Sequence, residues 1–253
     1  MLRQTWSLNS NQQDTIVPAD IKYYLNNLKD DLTLEETEDS WERITKAVLS
    51  FAATCEQGGY EAAPVEVINA LRNFSRPIVN AMNSERTRLS GAAIDLLVSV
   101  ATGLGREFEQ LLSLFLPPLL ALCGRTNKVV INRTRTCIIT IIESTQLASV
   151  LSYFLQNIKD KSTSLRLIAA EGTLACLNSC NPPDLEREPR ARDIEAIIRS
   201  TARDANADVR KLSRKIFECY KILLPGRVDR SVTFPVFLQL LYIDTISSVS
   251  PPR

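Results

Sequence analysis

The sequence predicts an all-α protein, an α-solenoid of HEAT-like helix pairs, and three observations carry that expectation. Apolar residues recur at helical spacing along nearly the whole chain. A short segment returns in similar form at intervals close to those of helical repeats. Glycines number 8 and aromatic residues make up 6% of the 253 residues, too few for the turns and strands of an all-β fold.

Helical spacing is clearest from Leu89, where apolar residues follow at Ala92, Ala93, Leu96, Leu97, Val100 and Ala101. Leu165, Ile168, Ala169, Leu174 and Leu177 trace a second such face. Leu212, Ile216, Cys219, Leu223 and Leu224 trace a third. No stretch alternates apolar and polar residues for long enough to read as a strand, so no sheet is expected. The repeats align Thr87–Ala93 with Leu165–Glu171 and Val209–Lys215, with a looser copy at Val130–Thr136. Their anchor positions Arg88, Ile131, Arg166 and Arg210 lie 43, 35 and 44 residues apart. HEAT and armadillo units have periods of roughly 40–47 residues.

Each copy opens the second helix of a pair after a short polar turn. The pairs are placed at about 20–57, 65–103, 106–144, 147–179 and 190–224. Ser84, Ser162 and Asn206 are candidate N-caps at those turns. Residues 1–18 read as disordered, 19–230 as the repeat domain, and 231–253 as an apolar tail that is either a capping helix or a truncated end. Asn181-Pro182-Pro183-Asp184 reads as a linker, and Leu224-Pro225-Gly226 stops the last helix.

The composition narrows function chiefly by exclusion. The sequence contains no histidine, so Ser-His-Asp and Cys-His catalysis are ruled out. It has no Walker A, GxGxxG or HExxH motif. The 6 cysteines are mostly embedded in apolar helical stretches and read as core residues of a protein in a reducing compartment. No cysteine spacing fits a zinc site, and neither metal nor cofactor is expected. The apolar runs, such as Leu111–Cys123, are interrupted by Ser113, Pro117 and Pro118 and read as too short to cross a bilayer; no secretory signal opens the chain. Net charge is +1, too weak to argue for nucleic acid. That total conceals an asymmetry. Residues 1–61 carry 5 basic and 11 acidic side chains, a net of −6, which leaves +7 on residues 62–253.

Stacked helix pairs bring their intra-pair turns to one edge, and those turns carry a distinctive residue set. Trp41 follows the first turn, with Arg43 just beyond. The second turn has Arg86 and Arg88, and the third has Arg125, Thr126, Asn127 and Lys128. Lys159, Lys161 and Arg166 mark the fourth; Arg203, Asn206, Arg210 and Lys211 mark the fifth. Such an edge suits a partner with an acidic face and one apolar pocket, and Trp and Arg are residue types enriched at interface hot spots. Trp41 also falls in register with Ile44, Val48 and Phe51, which by spacing alone favours a core position. Cations at helix starts gain nothing from the helix dipole, so helix stability does not explain their recurrence there. A generic adaptor holding a peptide on its concave face is the competing reading. It calls for polar inner helices such as an Asn ladder, and only Asn132 and Asn178 stand out. Dimerisation through the apolar tail is a third.

Asp39-Ser40-Trp41-Glu42 leading to Ala47 and Val48 resembles the opening of a CLASP-type TOG domain. The resemblance continues through Phe115–Leu120 followed by Thr126–Val130, then through Ile158–Ser162 and Asp204–Arg210, and covers about residues 20–230. It implies a tubulin-binding edge built from the five turns, with Trp41 against β-tubulin and the basic residues against acidic patches of the tubulin heterodimer or microtubule lattice. It further implies a regulator of microtubule stability, promoting rescue or suppressing catastrophe at spindle and kinetochore microtubules, in the cytoplasm. The chain departs from the family pattern in two places. Ile44 stands where an Arg three residues after the Trp is common, with Arg43 one position early, and no sixth pair is evident after Arg230.

Overall fold

The computed structural model describes residues 18–228. Among them the chain is helical throughout, with no strand, as the periodicity predicts. The first pair sets α1 (Pro18–Asn27) and its short continuation α2 (Lys29–Leu32) against α3 (Trp41–Thr54). A π-turn at Cys55–Gly59 and one further turn, α4 (Tyr60–Ala62), lead to the second pair. There α5 (Pro64–Asn73) and α6 (Ser75–Met82) precede α7 (Thr87–Leu104). The third pair is α8 (Glu109–Cys123) with α9 (Lys128–Thr145), and the fourth is α10 (Leu151–Asn157) with α11 (Thr163–Ser179). After a short helix, α12 (Pro182–Glu186), the fifth pair is α13 (Glu188–Thr201) with α14 (Ala207–Leu223), followed by a last turn, α15 (Pro225–Val228).

The second helices form one layer: α3 packs on α7, α7 on α9, α9 on α11, and α11 on α14. A single seam of buried side chains runs through the stack, from Ile21 and Leu25 to Phe217 and Tyr220. No pair could bury its apolar stripe alone, so neighbouring pairs complete one another's cores. Phe51 and Phe74 meet edge to face at 6.3 Å where the first two pairs join. Gly172 on α11 lets the Phe154 ring of α10 approach so closely that a Cβ there would lie 2.4 Å from it. The five pairs thus fall where the hydrophobic spacing puts them.

Several local expectations are corrected. The proposed linker at 181–184 contains the start of α12, because Pro182 and Pro183 suit the first turn of a helix, where an amide is not needed. Pro117 and Pro118 do not interrupt α8, which runs through both. The stretch Thr87–Cys123 is long and apolar, but it belongs to the packed stack. It is broken at Gly105, where φ is +51°, and its most apolar window is 61% buried within the stack. Five of the cysteines are buried and Cys219 is half-buried; all six are free thiols. Burial pushes the Cys55 and Cys123 thiols up to about 12. Apart from Pro18, which opens α1, the segments read as a disordered start and an apolar tail lie outside the described residues.

Candidate functional site

The intra-pair turns are built by side-chain to backbone bonds, and these bonds decide which polar groups remain for a partner. In the first turn the Ser40 hydroxyl donates to the Glu35 carbonyl at 2.6 Å and accepts the Thr37 amide at 2.8 Å. Asn127 caps α9, accepting the amides of Val129 and Val130 at 3.0 and 3.3 Å. Ser162 caps α11 by accepting the Leu165 amide, and Asn206 caps α14 by accepting those of Asp208 and Val209. Two of the three expected caps are therefore caps. The third, Ser84, is not: Arg86 stands at the N-cap of α7, while Ser84 accepts the Arg86 amide and donates to Glu36 Oε1 at 2.7 Å.

Neighbouring turns are tied together. Arg86 donates to Glu36 at 2.7 Å and to Glu38 at 2.6 Å, and its guanidinium lies 5.7 Å from the centroid of the Trp41 ring. One arginine thus joins the second turn to the first and covers the indole. Arg125 reaches back to the Asn83 side chain at 2.6 Å, linking the third turn to the second. The fourth and fifth turns share a design. Asp160 and Asp204 accept the amides of Ser162 and Asn206. Six residues on, Arg166 and Arg210 donate to turn carbonyls: Asp160 and Lys161 for the first, Asp204 and Ala205 for the second. Arg166 also forks onto Asp204 at 2.7 and 3.0 Å. Burial opposes charge on Asp204, but the hydrogen bonds from Arg166 and the Asn206 amide outweigh it and hold the carboxyl below its ordinary range.

The candidate residues consequently divide. Arg88, Lys128, Lys159, Lys161, Arg203 and Lys211 are exposed, and among the described residues their charged groups have no hydrogen-bond or ion-pair partner. Thr126 is exposed as well. Arg86, Arg166 and Arg210 spend donors inside the fold, and Arg43 pairs with Asp31 at 2.5 Å. Asn127 and Asn206 commit their side-chain oxygens to caps. Trp41 is half-buried, packed against the core on one side and under Arg86 on the other, so the core position its spacing favours is reached in part. Sequence reasoning missed the positioning roles of Glu36, Asn83, Asp160 and Asp204. The repeated Asp-to-Arg spacing at 160/166 and 204/210 was the available signal.

Between the second and third turns, Ser84, Glu85, Arg125, Thr126, Asn127 and Val130 line an open cleft of about 320 Å³. Beside it Val129 is 66% exposed, the one large apolar side chain presented among the third-turn residues. On the layer of second helices, Arg133 forks onto Asp95 and Arg135 pairs with Glu171. Asn178 accepts the Cys219 thiol, and among the described residues no Asn ladder forms. Among the described residues no group of His, Cys, Asp or Glu is placed to hold a metal ion.

A stack of helix pairs that displays a row of turns, with open clefts between them, defines a helical-repeat scaffold. The family profile described as CLASP N terminal matches residues 22–232, all five pairs, and the chain belongs to that family. Among curated relatives, stu-1 of Neurospora crassa is 24% identical over 199 residues, peg1 of Schizosaccharomyces pombe 25% over 187, and a CLIP-associated protein of Arabidopsis thaliana 28% over 163. These alignments cover 76%, 72% and 64% of this chain but only 17%, 13% and 11% of the relatives. Two solved structures share the fold. A CEP104 TOG domain superposes with a TM-score of 0.58 at 16% identity, covering 88% of this chain and 94% of its own. A structure from work on TOG–tubulin binding specificity in microtubule dynamics and mitotic spindle formation gives 0.57 at 14% identity, covering 89% of each chain.

Proposed function

We propose that this domain binds tubulin through its intra-pair turns and serves a microtubule-stabilising regulator of the spindle, without catalysing a reaction. The observation that carries the reading is a family match over all five pairs whose turns present six unpartnered cations, headed by Trp41. One relative is named a CLIP-associated protein, and one structural neighbour comes from work on tubulin binding. In this reading Arg88, Lys128, Lys159, Lys161, Arg203 and Lys211 meet acidic patches of the heterodimer or lattice, with Thr126 and the Asn127 amide as polar contacts. Trp41 offers the part of its ring that Arg86 leaves open. Arg86, Arg166 and Arg210 hold the turns in register, and Arg43 lies beside the first turn. Promotion of rescue or suppression of catastrophe is the activity such a domain would serve within a longer protein.

The test is co-elution of the purified domain with tubulin heterodimer on size exclusion, at low and raised salt. The wild type forms a complex that salt weakens, because exposed charge pairs are screened. The triple variant Lys128→Glu, Lys159→Glu and Lys161→Glu loses the complex with its melting temperature unchanged, since none of these groups has a partner in the fold. A complex that survives the triple reversal refutes the edge as the binding site.

A further inference from the structure

The turn edge is not basic along its whole length. Beside the first turn lies an open cleft of about 240 Å³, floored by Leu32, Ile44 and Leu89 and rimmed by Glu35, Glu36 and Asn80. The three floor residues belong to the buried core, whereas Glu35 and Asn80 are exposed. The connection from α2 to α3 forms one wall, and α6 forms the other. The volume is below the about 300 Å³ at which sites for whole small molecules begin, so the cleft suits a single side chain of a larger partner.

Carboxylates outnumber cations around it. Glu36 and Glu38 share Arg86, at 2.7 and 2.6 Å. Glu35 and Asp39 are exposed, and among the described residues their carboxylates have no hydrogen-bond or ion-pair partner. Four acids of the first turn thus share one ion-paired base. The third to fifth turns present the reverse, with Lys128, Lys159, Lys161, Arg203 and Lys211 standing open. A lysine or arginine lays its aliphatic stem on apolar surface and keeps its charged head at the water. An apolar floor under a carboxylate rim matches both halves of such a side chain, while an acidic one would be repelled by the rim. We infer, on the reading that the turn edge docks on tubulin, that this cleft takes a lysine or arginine side chain of that partner. The edge is then bipolar, acidic at the first turn and basic from the third to the fifth, and the partner lies along the stack in one direction only. A uniformly basic edge would carry no such instruction.

The experiment measures the affinity of the whole chain for tubulin heterodimer by fluorescence anisotropy, at low and raised salt. Glu35→Lys with Asp39→Lys reverses the rim. Glu61→Lys with Glu143→Lys makes the same charge change on exposed residues of α4 and α9, away from the intra-pair turns. The rim reversal weakens binding about tenfold or more at low salt, because like charges then face each other. The difference narrows at raised salt, where such contacts are screened. The control pair binds as tightly as wild type or more tightly, since it only adds positive charge against acidic patches. Asn80→Trp, which fills the mouth of the cleft without changing charge, also weakens binding. The altered side chains have no hydrogen-bond or ion-pair partner among the described residues, so each variant keeps the wild-type melting temperature. Unchanged or tighter binding by the rim reversal, equal weakening by the control pair, or an Asn80→Trp variant that binds like wild type would overturn the cleft as a site. If the rim reversal is silent while the reversal of Lys128, Lys159 and Lys161 abolishes the complex, the turn edge stands and only this inference falls. No complex with the wild type refutes both.

Discussion

Asp204→Ala is expected to be among the most damaging single polar substitutions in the domain. The Asp204 side chain is 6% exposed and that of Arg166 14% exposed, and the two meet through a forked pair of hydrogen bonds at 2.7 and 3.0 Å. Removing the carboxylate strands a nearly buried guanidinium and frees the Asn206 amide that Asp204 also accepts. Breaking one partner of a buried pair costs about 3–5 kcal/mol. Arg166 keeps its two turn carbonyls, so the lower end, about 3 kcal/mol, applies. For a domain of this size each kcal/mol lowers the melting temperature by about 2–4 °C, giving a fall of about 6–12 °C. The assay is thermal unfolding followed by far-UV circular dichroism at neutral pH, with Arg166→Met, Asp204→Leu and the double variant completing a cycle. The double variant should recover part of the loss, because two apolar groups leave no stranded charge. A fall of under about 2 °C for Asp204→Ala, or a double variant as damaged as the sum of its singles, refutes the view that this pair fastens the fourth turn to the fifth.

Acidification tests the same carboxylate. Its folded pKa lies below the unfolded value of about 3.9, so its stabilisation is complete above that pH and is lost as pH falls through the folded value. The gap in melting temperature between wild type and Asp204→Asn should therefore be widest near neutrality and narrow as pH falls below the ordinary carboxylate range; a constant gap would contradict it. Gly172→Ala places a methyl group 2.4 Å from the Phe154 ring and should cost about 1–3 kcal/mol, partly recovered by Phe154→Leu, as read by urea unfolding. Asn127→Ala removes a cap and should lower stability by about 1 kcal/mol, whereas Lys128→Ala beside it should leave stability unchanged. With Ellman's reagent, native protein should expose Cys219 first, with the five buried thiols reacting only on unfolding; rapid reaction of all six would refute the buried placement.

The order of the helix pairs was legible because it rests on spacing. Leu89, Leu96, Leu97 and Val100 are buried at the positions a 3.6-residue period assigns them, and the Arg166 and Arg210 anchors mark helix starts that the structure places at Thr163 and Ala207. Less visible was what each turn residue bonds to. Asn127 read only as a contact residue of similar kind to Lys128, yet its oxygen closes a helix end, whereas Asn206, read both as a contact and as a cap, does cap its helix. Arg86 read as one more edge cation, and its partners Glu36 and Glu38 lie about 50 residues earlier, beyond any local pattern. The acidic surplus of residues 1–61 acquires a local cause in the same contacts, since part of it neutralises Arg86. Prolines misled in both directions. Pro182 and Pro183 begin a helix, and Pro117 and Pro118 sit inside one whose surroundings are apolar enough to override propensity.

Side-chain chemistry accounts for part of the division between anchored and open cations, although Arg88 and Arg203 stay open as well. Three of the arginines on the turns, Arg86, Arg125 and Arg166, bridge one turn to its neighbour, a task that needs donors in a fixed fork. Lys128, Lys159, Lys161 and Lys211 remain open, and a lysine is a hydrated point charge on a flexible stem that can meet an acidic surface without exact geometry. These lysines, together with the open Arg88 and Arg203, thus provide long-range attraction while Arg86, Arg125 and Arg166 hold the register in which it is presented. Replacing Lys128, Lys159, Lys161 and Lys211 with arginine would keep the charge while adding donors able to compete for Asp160 and Asp204. If flexible point charges are what the partner needs, this variant should associate no faster than wild type at low salt, as measured by stopped-flow fluorescence. If charge and fork both contribute at the interface, it should bind more tightly with a slower dissociation rate, and the lysines would then be substitutes for arginine and not a separate class.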